Sequence, residues 1–434
     1  MQCSARRQAD GNAFDLFGVA LTSDAIRKVH ILKVLLSAFA CEPNRGSEFA
    51  VGWNWAVSLA RAGHDVVVLT RSEARPAIER ELASTINRPR FAYFDVPRPL
   101  RWQRRGPLHV HALLWQWLAV GFARELHCRE NFDCVHHVTY AGLRIPSFMG
   151  KLGIRFIFGP VGGGERAPWR LRKGYSAMTS ALEMVRDGAN LMVRFSPFMT
   201  STFERAHRIY VTSTETLRLV PARYRDKTHV ELAIGIDGHE TIPPDAAARR
   251  GPAMDSFRIL YAGRFVDYKG MHLGLCAFAL VAKADPRARL TMVGEGPSKD
   301  RWLRLAQSLG VEAQIEWIPW QSGDAMDRLY AQHHVLLFPA LHDTGGLVAL
   351  EAMRHGLPVV CLKLGGPATI VDDRCGHVID TTGKGVTEVV KELGQALRML
   401  SRDAVRLPLA EGARARIRNF SWDRKVAKLY GSAV

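Results

Sequence analysis

The chain has 434 residues, of which 47% are hydrophobic and 23% charged, and its formal net charge is +17. This length suits two domains of about 200 residues each, and the composition is that of a folded globular protein rather than a disordered or fibrous one. No run approaches the roughly 18 apolar residues that a spanning helix needs, and the short apolar piece at 14–21 contains Asp15, so we predict neither a membrane span nor a signal peptide.

The first half of the chain is predicted to be a parallel α/β domain. Residues 1–30 show no steady period and are expected to form a loosely ordered extension. From residue 31 to 238, short apolar runs alternate with helical segments, which is typical of parallel strands covered by helices on both faces. The predicted strands are 32–37, 65–70, 91–96, 134–138, 156–158 and 209–212. Before the last of them, the segment 172–205 has helical spacing of its apolar residues: Met178, Leu182, Val185, Leu191 and Phe195.

The second half is predicted to repeat this architecture. A linker is expected at 239–256, which is rich in Pro, Ala, Arg and Gly. Strands are then predicted at 258–262, 289–293, 315–318, 335–339 and 358–361, within a domain spanning 257–415. The segment 416–434 is expected to form a helix that Ser421 caps and that crosses back to the first domain. The predicted fold is therefore two doubly wound Rossmann-like domains facing across a cleft, where the ligand binds outside the carboxyl ends of the strands.

The strongest chemical signal follows the strand 335–339, where residues 343–352 read DTGGLVALEA. Glycines at a strand end that opens a helix let backbone amides approach a phosphate, and the helix dipole favours that anion. Gly345, Gly346 and Leu347 are thus candidate donor-binding residues. Asp343 and Glu351 lie a little over two helical turns apart, so their carboxylates can hold two separated hydroxyl groups. A plain acidic helix N-terminus is the alternative.

A second signal follows the strand 258–262, where residues 261–270 read YAGRFVDYKG. Arg264 and Lys269 lie five residues apart in a short loop after Gly263, so both cations can converge on one diphosphate. Two surface cations on a loop are the alternative. After the next strand, Gly294 belongs to a GEGP turn that we interpret as mainly structural, although it neighbours the same cleft.

Three further loops lie in the first half. Gly46 lies in the segment SAFACEPNRGSE at 37–48, which connects the first strand to a helix; an ordinary helix entry is the alternative. His136 and His137 end a strand, where neighbouring side chains point to opposite faces, so they form a poor chelating pair and we predict no metal site. In GPVGGGE at 159–165, Gly163 and Gly164 free the backbone to lie against a ligand beside Glu165, or else form a flexible loop.

From about residue 32 to its end, the chain resembles the retaining glycosyltransferases of family 4, which have the GT-B fold. The segment from Asp343 to Glu351 is similar to the EGFG…E signature of that family, with Asp for the first Glu and Thr344-Gly345 for Gly-Phe. The resemblance implies that Asp343 lies against the donor hexose and Glu351 against the ribose. It also implies that Arg264 and Lys269 neutralise the leaving diphosphate, so that no metal or other cofactor is needed.

For the first half, the resemblance implies that Gly46 approaches the donor phosphate and the acceptor. It places His137, with His136 as the alternative, beside the transferred sugar, and it assigns Gly163, Gly164 and Glu165 to the acceptor or sugar side. These loops resemble those of enzymes that build bacterial surface polysaccharides and glycolipids. The expected reaction is therefore hexose transfer from a nucleotide-diphosphate sugar to a lipid-linked or glycan acceptor.

Two other functions stay open at this stage: a nucleotide-sugar epimerase of the same fold, and a catalytically idle nucleotide-sugar-binding subunit. A dehydrogenase is disfavoured because the first loop lacks GxGxxG spacing. The seven cysteines are scattered without a CxxC pair, which favours reduced thiols in a cytoplasmic protein.

The basic charge predicts acidic partners. The sequence has no aromatic-interleaved basic strand or recognition helix, so we predict no nucleic-acid partner. Two clusters of cations beside tryptophans instead suggest a peripheral contact with an anionic membrane surface, on the inner face of the cytoplasmic membrane; a solvated basic face is the alternative. The clusters are Arg101, Arg104 and Arg105 with Trp102, and Arg166, Arg170, Arg172 and Lys173 with Trp169.

Overall fold

The structure is a computed structural model that describes residues 31–46, 48–83, 85–97, 108–236 and 256–431. The predicted extension 1–30, nearly all of the predicted linker 239–256 and the basic cluster around Trp102 lie outside the described residues. Ser47 lies outside them as well.

The first half forms a parallel sheet of seven strands. The strands are β1 Lys33–Ser37, β2 Asp65–Thr70, β3 Arg90–Tyr93, β4 Cys134–His137, β5 Arg155–Val161, β6 Arg208–Val211 and β7 Thr228–Val230. Their spatial order is β3-β2-β1-β4-β5-β6-β7, and every ladder is parallel. The order reverses direction between β1 and β4, which opens a crevice at the carboxyl ends of these strands.

The second half forms a parallel sheet of six strands. These are β8 Arg258–Ala262, β9 Arg289–Val293, β10 Ile315–Ile318, β11 Val335–Phe338, β12 Val359–Leu362 and β13 Gly376–Ile379. Their order is β10-β9-β8-β11-β12-β13, again with parallel ladders throughout. The corresponding switch lies between β8 and β11. Two doubly wound parallel sheets confirm the predicted fold class.

Helices connect the strands and cover both faces of each sheet. In the first half they are α1 Glu48–Arg61, α2 Arg75–Leu82, α3 Leu108–Glu130, α4 Ala177–Met192, α5 Pro197–Arg205 and α6 Thr214–Leu219. In the second half they are α7 Met271–Ala284, α8 Lys299–Ser308, α9 Asp324–Gln332, α10 Leu347–Arg354, α11 Pro367–Ile370, α12 Val386–Leu400, α13 Asp403–Ile417 and α14 Trp422–Tyr430.

Serine residues cap several of these helices. The side chain of Ser176 accepts a hydrogen bond from the Thr179 amide at the start of α4, and Ser213 does the same for the Thr216 amide of α6. At α14, the predicted cap Ser421 accepts from the Arg424 amide. Such side chains replace the intrahelical partner that a first-turn N–H lacks.

Alternating strand residues build separate cores on the two faces of each sheet. In the first sheet, Leu35 packs with residues of α3, whereas Val34 and Leu36 pack with α1 on the other face. Complete burial of these side chains explains why the strands appear as continuous apolar runs in the sequence.

The structure departs from the predicted elements at three places. The short strands β7 and β13 were not predicted, because neither contains a continuous apolar run. The predicted helical stretch 172–205 is two helices, separated by a turn at Val193–Phe195 and by Ser196, which caps α5 just before Pro197.

Two segments cross between the halves. Ala167 and Leu171 belong to the first half but are buried in the core that surrounds Phe265 and Met271 of the second. Helix α14 ends the chain and packs on the first half, where Trp422 meets Trp55 edge to face. The two halves are therefore tied together by two separate segments.

Candidate active site

The candidate site lies at the switch point of the second sheet. The loop after β8 contains Arg264 and Lys269, and the loop after β11 contains Asp343. Because β8 and β11 are neighbours, their following loops leave the same edge of the sheet side by side. This is the edge at which doubly wound sheets bind their ligands.

Lys269 and Asp343 form an ion pair at this point. The Lys269 ammonium donates to Asp343 Oδ2, and both side chains are largely withdrawn from solvent. Burial alone would raise the pKa of Asp343, but Lys269 and two backbone amides more than offset it, so the pKa lies below its ordinary value. The carboxylate is therefore ionised, and it fixes the position of the Lys269 cation.

The other oxygen of Asp343 caps the glycine-opened turn. Asp343 Oδ1 accepts from the amides of Gly345 at 3.0 Å and Gly346 at 2.8 Å. The sequence had assigned these two amides to a phosphate, and here they hold the carboxylate instead. Gly346 has a φ of +70°, which a glycine adopts without strain, and Leu347 then begins α10. The amides of Leu347 and Val348 precede the first intrahelical hydrogen bonds, which Ala349 and Leu350 donate to the Gly346 carbonyl, and these two amides can serve an anion.

A second glycine pair, which the sequence analysis missed, supports Asp343 from behind. The Gly366 amide donates to the Asp343 carbonyl at 2.8 Å. Gly365 has a φ of +59°, and a Cβ there would lie 2.2 Å from the same carbonyl oxygen. The signal was present in the sequence as Gly-Gly-Pro directly after a buried strand.

Glu351 lies on α10 and is held by α9. Its Oε2 accepts from the Tyr330 hydroxyl at 2.8 Å. Burial raises the pKa of Glu351, and the hydrogen bond from Tyr330 only partly offsets this effect. The Glu351 side chain is thus held on α10, the helix that follows the loop after β11. We call this loop, residues 339–346, the donor loop.

Arg264 differs from Lys269 in its environment. Its side chain is exposed, while its carbonyl accepts from the buried Tyr261 hydroxyl at 3.0 Å. Gly263 and Gly294 explain the path of this loop: a Cβ on Gly294 would lie 2.1 Å from the Gly263 carbonyl oxygen. The two glycines allow the ends of β8 and β9 to touch, and they leave Arg264 at the rim of the crevice.

Glu165 faces this site from the first half but is fully engaged by the protein. Its Oε1 accepts from Thr212, Ser213 and Thr216 at 2.9–3.1 Å. Its Oε2 accepts from the Gly163 amide and, across the crevice, from the Thr344 hydroxyl at 3.2 Å. Burial alone would raise the pKa of Glu165, but a backbone hydrogen bond, the neighbouring His342 and the Thr212 and Ser213 hydroxyls together hold it below its ordinary value. The predicted acceptor-side carboxylate is therefore a link between the two halves.

The glycine loop beside Glu165 is closely packed rather than free. A Cβ on Gly162 would lie 2.4 Å from the Thr344 methyl group, and one on Gly164 would lie 2.6 Å from Thr216 Cα. Gly163 has a φ of +96°, and its carbonyl accepts from the Asn190 amide of α4. Close approach of neighbouring segments accounts for Gly162 and Gly164, and the positive φ accounts for Gly163.

The two histidines occupy the core, which corrects the predicted sugar contact of His137 and of its alternative His136. His137 pairs with the Ser147 hydroxyl at 2.7 Å and with the Thr139 carbonyl, and His136 pairs with the Tyr430 hydroxyl and the Gly159 carbonyl. Burial lowers their pKa values to about 4 and about 3. Both rings are enclosed and both nitrogens of each ring are hydrogen-bonded, so the two histidines are packed core residues.

Gly46 does not pack against a neighbouring segment. It is exposed, and a Cβ on it would meet no atom within 4 Å. Its predicted approach to the donor stays a prediction.

The structure adds Arg186 and His342 to the site. Arg186 of α4 donates to His342 Nδ1 at 2.9 Å and to the Glu165 carbonyl. His342 directly precedes Asp343 in the chain, and burial together with the Arg186 charge lowers its pKa to about 4. A neutral imidazole can accept the Arg186 hydrogen bond, whereas an imidazolium cannot.

One of the predicted surface cations is structural. Arg172 is largely buried, where it pairs with Asp187 at 2.6 Å and donates to the Ala167 carbonyl. Arg166 pairs with the same aspartate, and Arg170 donates to the Gly383 carbonyl of the other half. This basic cluster therefore contributes to the contact between the halves as well as to the surface charge.

The described residues contain no group of three or more His, Cys, Asp or Glu side chains arranged to hold a metal ion. Within the same part of the chain, every helix is too short or too polar to cross a bilayer.

The chain has the fold of solved glycosyltransferases, the GT-B fold. Sucrose-phosphate synthase from Thermosynechococcus elongatus superimposes with a TM-score of 0.59 and 20% identity, covering 92% of this chain and 98% of that one. HepE from Anabaena, solved with UDP, gives a TM-score of 0.59 at 16% identity, covering 92% and 100%. These neighbours show the fold alone.

Sequence comparison matches part of the chain to one family. Residues 245–401 match the family described as glycosyl transferases group 1. A D-inositol 3-phosphate glycosyltransferase from Salinispora arenicola is 33% identical over 245 residues, which is 51% of this chain and 54% of the relative. One from Mycolicibacterium paratuberculosis is 26% identical over 436 residues, covering 94% and 90%. The chain spans about half the length of the first of these curated relatives.

Proposed function

We propose that the protein is a retaining glycosyltransferase that moves a hexose from a nucleotide-diphosphate sugar to a lipid-linked or glycan acceptor in surface glycan synthesis, without a metal ion or other cofactor. The proposal has the protein act in the cytoplasm, at the inner face of the membrane. The match of residues 245–401 to glycosyl transferases group 1 supports the class of reaction, and the residues around Lys269 support the mechanism.

The observation that carries the proposal is the Lys269–Asp343 pair at the switch point. An ammonium group has three N–H donors, and Asp343 engages one of them. The remaining donors can bind the oxygens of a diphosphate, whose position at the strand ends is favoured by the first turn of α10. Arg264 at the rim adds a second, exposed cation that can fold over the same ligand.

These N–H groups stabilise the negative charge that develops on the diphosphate as the nucleotide sugar breaks. The bond between the anomeric carbon and the phosphate oxygen breaks, and the acceptor oxygen forms the new bond on the same face of the sugar. The proton of the acceptor hydroxyl passes to the departing phosphate oxygen, so the nucleoside diphosphate leaves with that proton. Fixed cations that already point at the developing charge lower the barrier without reorganisation.

Glu351 has the geometry for a ribose contact. Tyr330 engages one of its oxygens and fixes the rotamer, and the other oxygen is available to accept from a ribose hydroxyl. Thr344 replaces the family glycine next to Asp343 and binds Glu165. Closure of the two halves over the nucleotide sugar would thus depend on the hydrogen bond between Thr344 and Glu165.

A donor and acceptor panel tests the proposal. The protein is incubated with UDP-glucose, UDP-N-acetylglucosamine, UDP-galactose or GDP-mannose, and with lipid extract, oligosaccharides or D-inositol 3-phosphate, the substrate named for the curated relatives. We expect one donor to yield nucleoside diphosphate and a glycosylated acceptor with the donor's anomeric configuration by NMR, in the presence of a chelator. An isomerised sugar without transfer would indicate the epimerase, and binding without any turnover would indicate the idle subunit; inversion would contradict retention.

A further inference from the structure

Helix α4 turns its charged side towards the protein. Glu183 and Asn190 are buried, and Arg186 and Asp187 are mostly buried. Arg186 and Asp187 lie three and four positions after Glu183, and four and three positions before Asn190, so the four residues form one stripe of the helix. Through Arg186 this stripe reaches His342, next to the Lys269–Asp343 pair.

The outward side of α4 is apolar. Leu182 is 61% and Val185 71% exposed. Within this helix, the exposed positions are Ala177, Met178, Ala181, Leu182, Met184, Val185, Gly188, Leu191 and Met192. A surface helix of a globular protein ordinarily has the reverse arrangement, with its apolar stripe on the core. A continuous exposed apolar face of this kind marks a surface that binds something.

The apolar face continues beyond the end of α4. Phe195 and Phe198 are more than 60% exposed. The Phe198 ring meets Phe148 edge to face at 6.4 Å, beside a groove of about 400 Å³ that reaches Trp117 on α3. We call the surface formed by the outward side of α4, Phe195, Phe198 and this groove the apolar face.

Cations paired with aromatic rings stand around this face. The Arg194 guanidinium lies 4.8 Å from the Phe195 ring centroid, and the Lys151 ammonium lies 5.4 Å from that of Phe148. Beyond the other end of α4, Arg170 lies over the exposed Trp169. Arginine and lysine beside exposed aromatic rings suit the headgroup region of a bilayer, and anionic lipids attract them.

We propose that the apolar face docks the protein on an anionic lipid bilayer. A second copy of the chain is a poorer occupant, because two molecules of net charge +17 repel each other. Docking through α4 would bring the crevice to the membrane surface, since the other side of the same helix lines it. This inference rests on the proposed function for its consequence: of the two acceptor classes, the lipid-linked one would be presented to the site.

Vesicle binding tests the docking without any donor or acceptor. The double variant Leu182→Glu/Val185→Glu is compared with Met399→Glu/Leu407→Glu, which adds the same charge at exposed apolar positions of α12 and α13. Co-sedimentation uses phosphatidylcholine vesicles with and without 30% phosphatidylglycerol. We expect the wild type and the α12/α13 variant to bind the anionic vesicles equally, and the α4 variant to bind at least about tenfold more weakly.

Equal binding of all three proteins, or binding that is as strong without phosphatidylglycerol, would overturn the proposal. Light scattering at increasing protein concentration provides a second readout: a dimer that the α4 substitutions abolish would assign the face to a second copy instead. Since the substituted side chains are exposed, both variants should keep the thermal stability of the wild type. Nucleotide-sugar turnover does not enter the assay, so its outcome is separate from that of the proposed function.

Discussion

Gly365 packs against the donor loop and Gly383 does not, so substitutions at these two glycines test whether that contact supports the loop. Both have a positive φ, +59° and +74°, but only Gly365 lies against Asp343, while a Cβ on Gly383 would meet nothing within 4 Å. We expect Gly383→Ala to cost about 1 kcal/mol of unfolding free energy through its backbone conformation alone. Gly365→Ala should cost about 1–3 kcal/mol more, because its Cβ must displace the Asp343 backbone.

Denaturant unfolding measures the two free energies, and turnover is measured alongside. We expect Gly365→Ala to lose most of its activity, whereas Gly383→Ala keeps it. Equal effects on stability and activity would mean that the contact between Gly365 and Asp343 has no role.

The sequence allowed the residues around the Lys269–Asp343 pair to be predicted but not their partners. Lys269, Asp343 and Gly346 were recognisable because each follows a buried strand in a short, distinctive motif. That Asp343 takes the amides of Gly345 and Gly346 depends on a rotamer, which spacing does not specify. His136 was misjudged because its partner Tyr430 lies 294 residues away, and the hydrogen bonds of Glu165 come from four separate segments.

At the scale of elements, α14 is joined to the first half by two lysines of different burial. Lys425 and Lys428 both pair with Glu231, at 2.5 and 2.6 Å, but the Lys425 side chain is 2% exposed and that of Lys428 62%. We expect Lys425→Ala to cost about 3 kcal/mol of unfolding free energy, because Glu231 Oε1 and the buried Leu232 carbonyl lose their donor and Lys428 holds only the other carboxylate oxygen. Lys428→Ala should cost less than about 1 kcal/mol. A similar loss for both variants in urea unfolding would contradict this account.

Element positions were predicted well for strands that are short apolar runs between turn residues. Strands β2, β8, β9 and β10 have the predicted limits because all are apolar runs between turn residues. The spacing of Met178, Leu182 and Val185 predicted a helix, but it could not indicate that this stripe faces outward. The orientation of α4 is set by the crevice, because the charged side of the helix packs there.

The molecule as a whole should lose stability in mild acid. The buried His136, His137 and His342 have pKa values lowered to about 3, 4 and 4, against about 6.5 in the unfolded chain. Between these values the unfolded chain binds more protons, so stability is fully present above pH 6.5 and is lost as the pH falls towards 4. We expect a loss of about 2 kcal/mol for each histidine at pH 4.5. The raised pKa values of Glu48 and Glu351 act in the opposite sense and offset part of this loss of stability.

Thermal unfolding at pH 7.5, 6.5, 5.5 and 4.5 measures this dependence. His342→Gln keeps an acceptor for Arg186 without a titrating ring, so this variant should show a smaller fall in Tm over the range. A Tm that stays constant down to pH 4.5 would show that these rings are protonated in the folded protein.

The alternation of buried strands and helices was enough to predict two doubly wound sheets. It also predicted that the carboxyl ends of their strands face the cleft. The segment 167–171, which the first half inserts into the core of the second, was not predictable, since its short apolar stretch has no partner nearby in sequence.

The central claim is that Lys269, fixed by Asp343, stabilises the departing diphosphate. The most direct measurement is kcat of Lys269→Ala with the donor and acceptor found by the panel, well below the Tm of each protein. Lys363→Ala is the matched control, since it removes an exposed lysine of the same half. We expect kcat to fall at least about 100-fold for Lys269→Ala and to stay unchanged for Lys363→Ala. A kcat within a few fold of wild type for a folded Lys269→Ala protein would contradict the account.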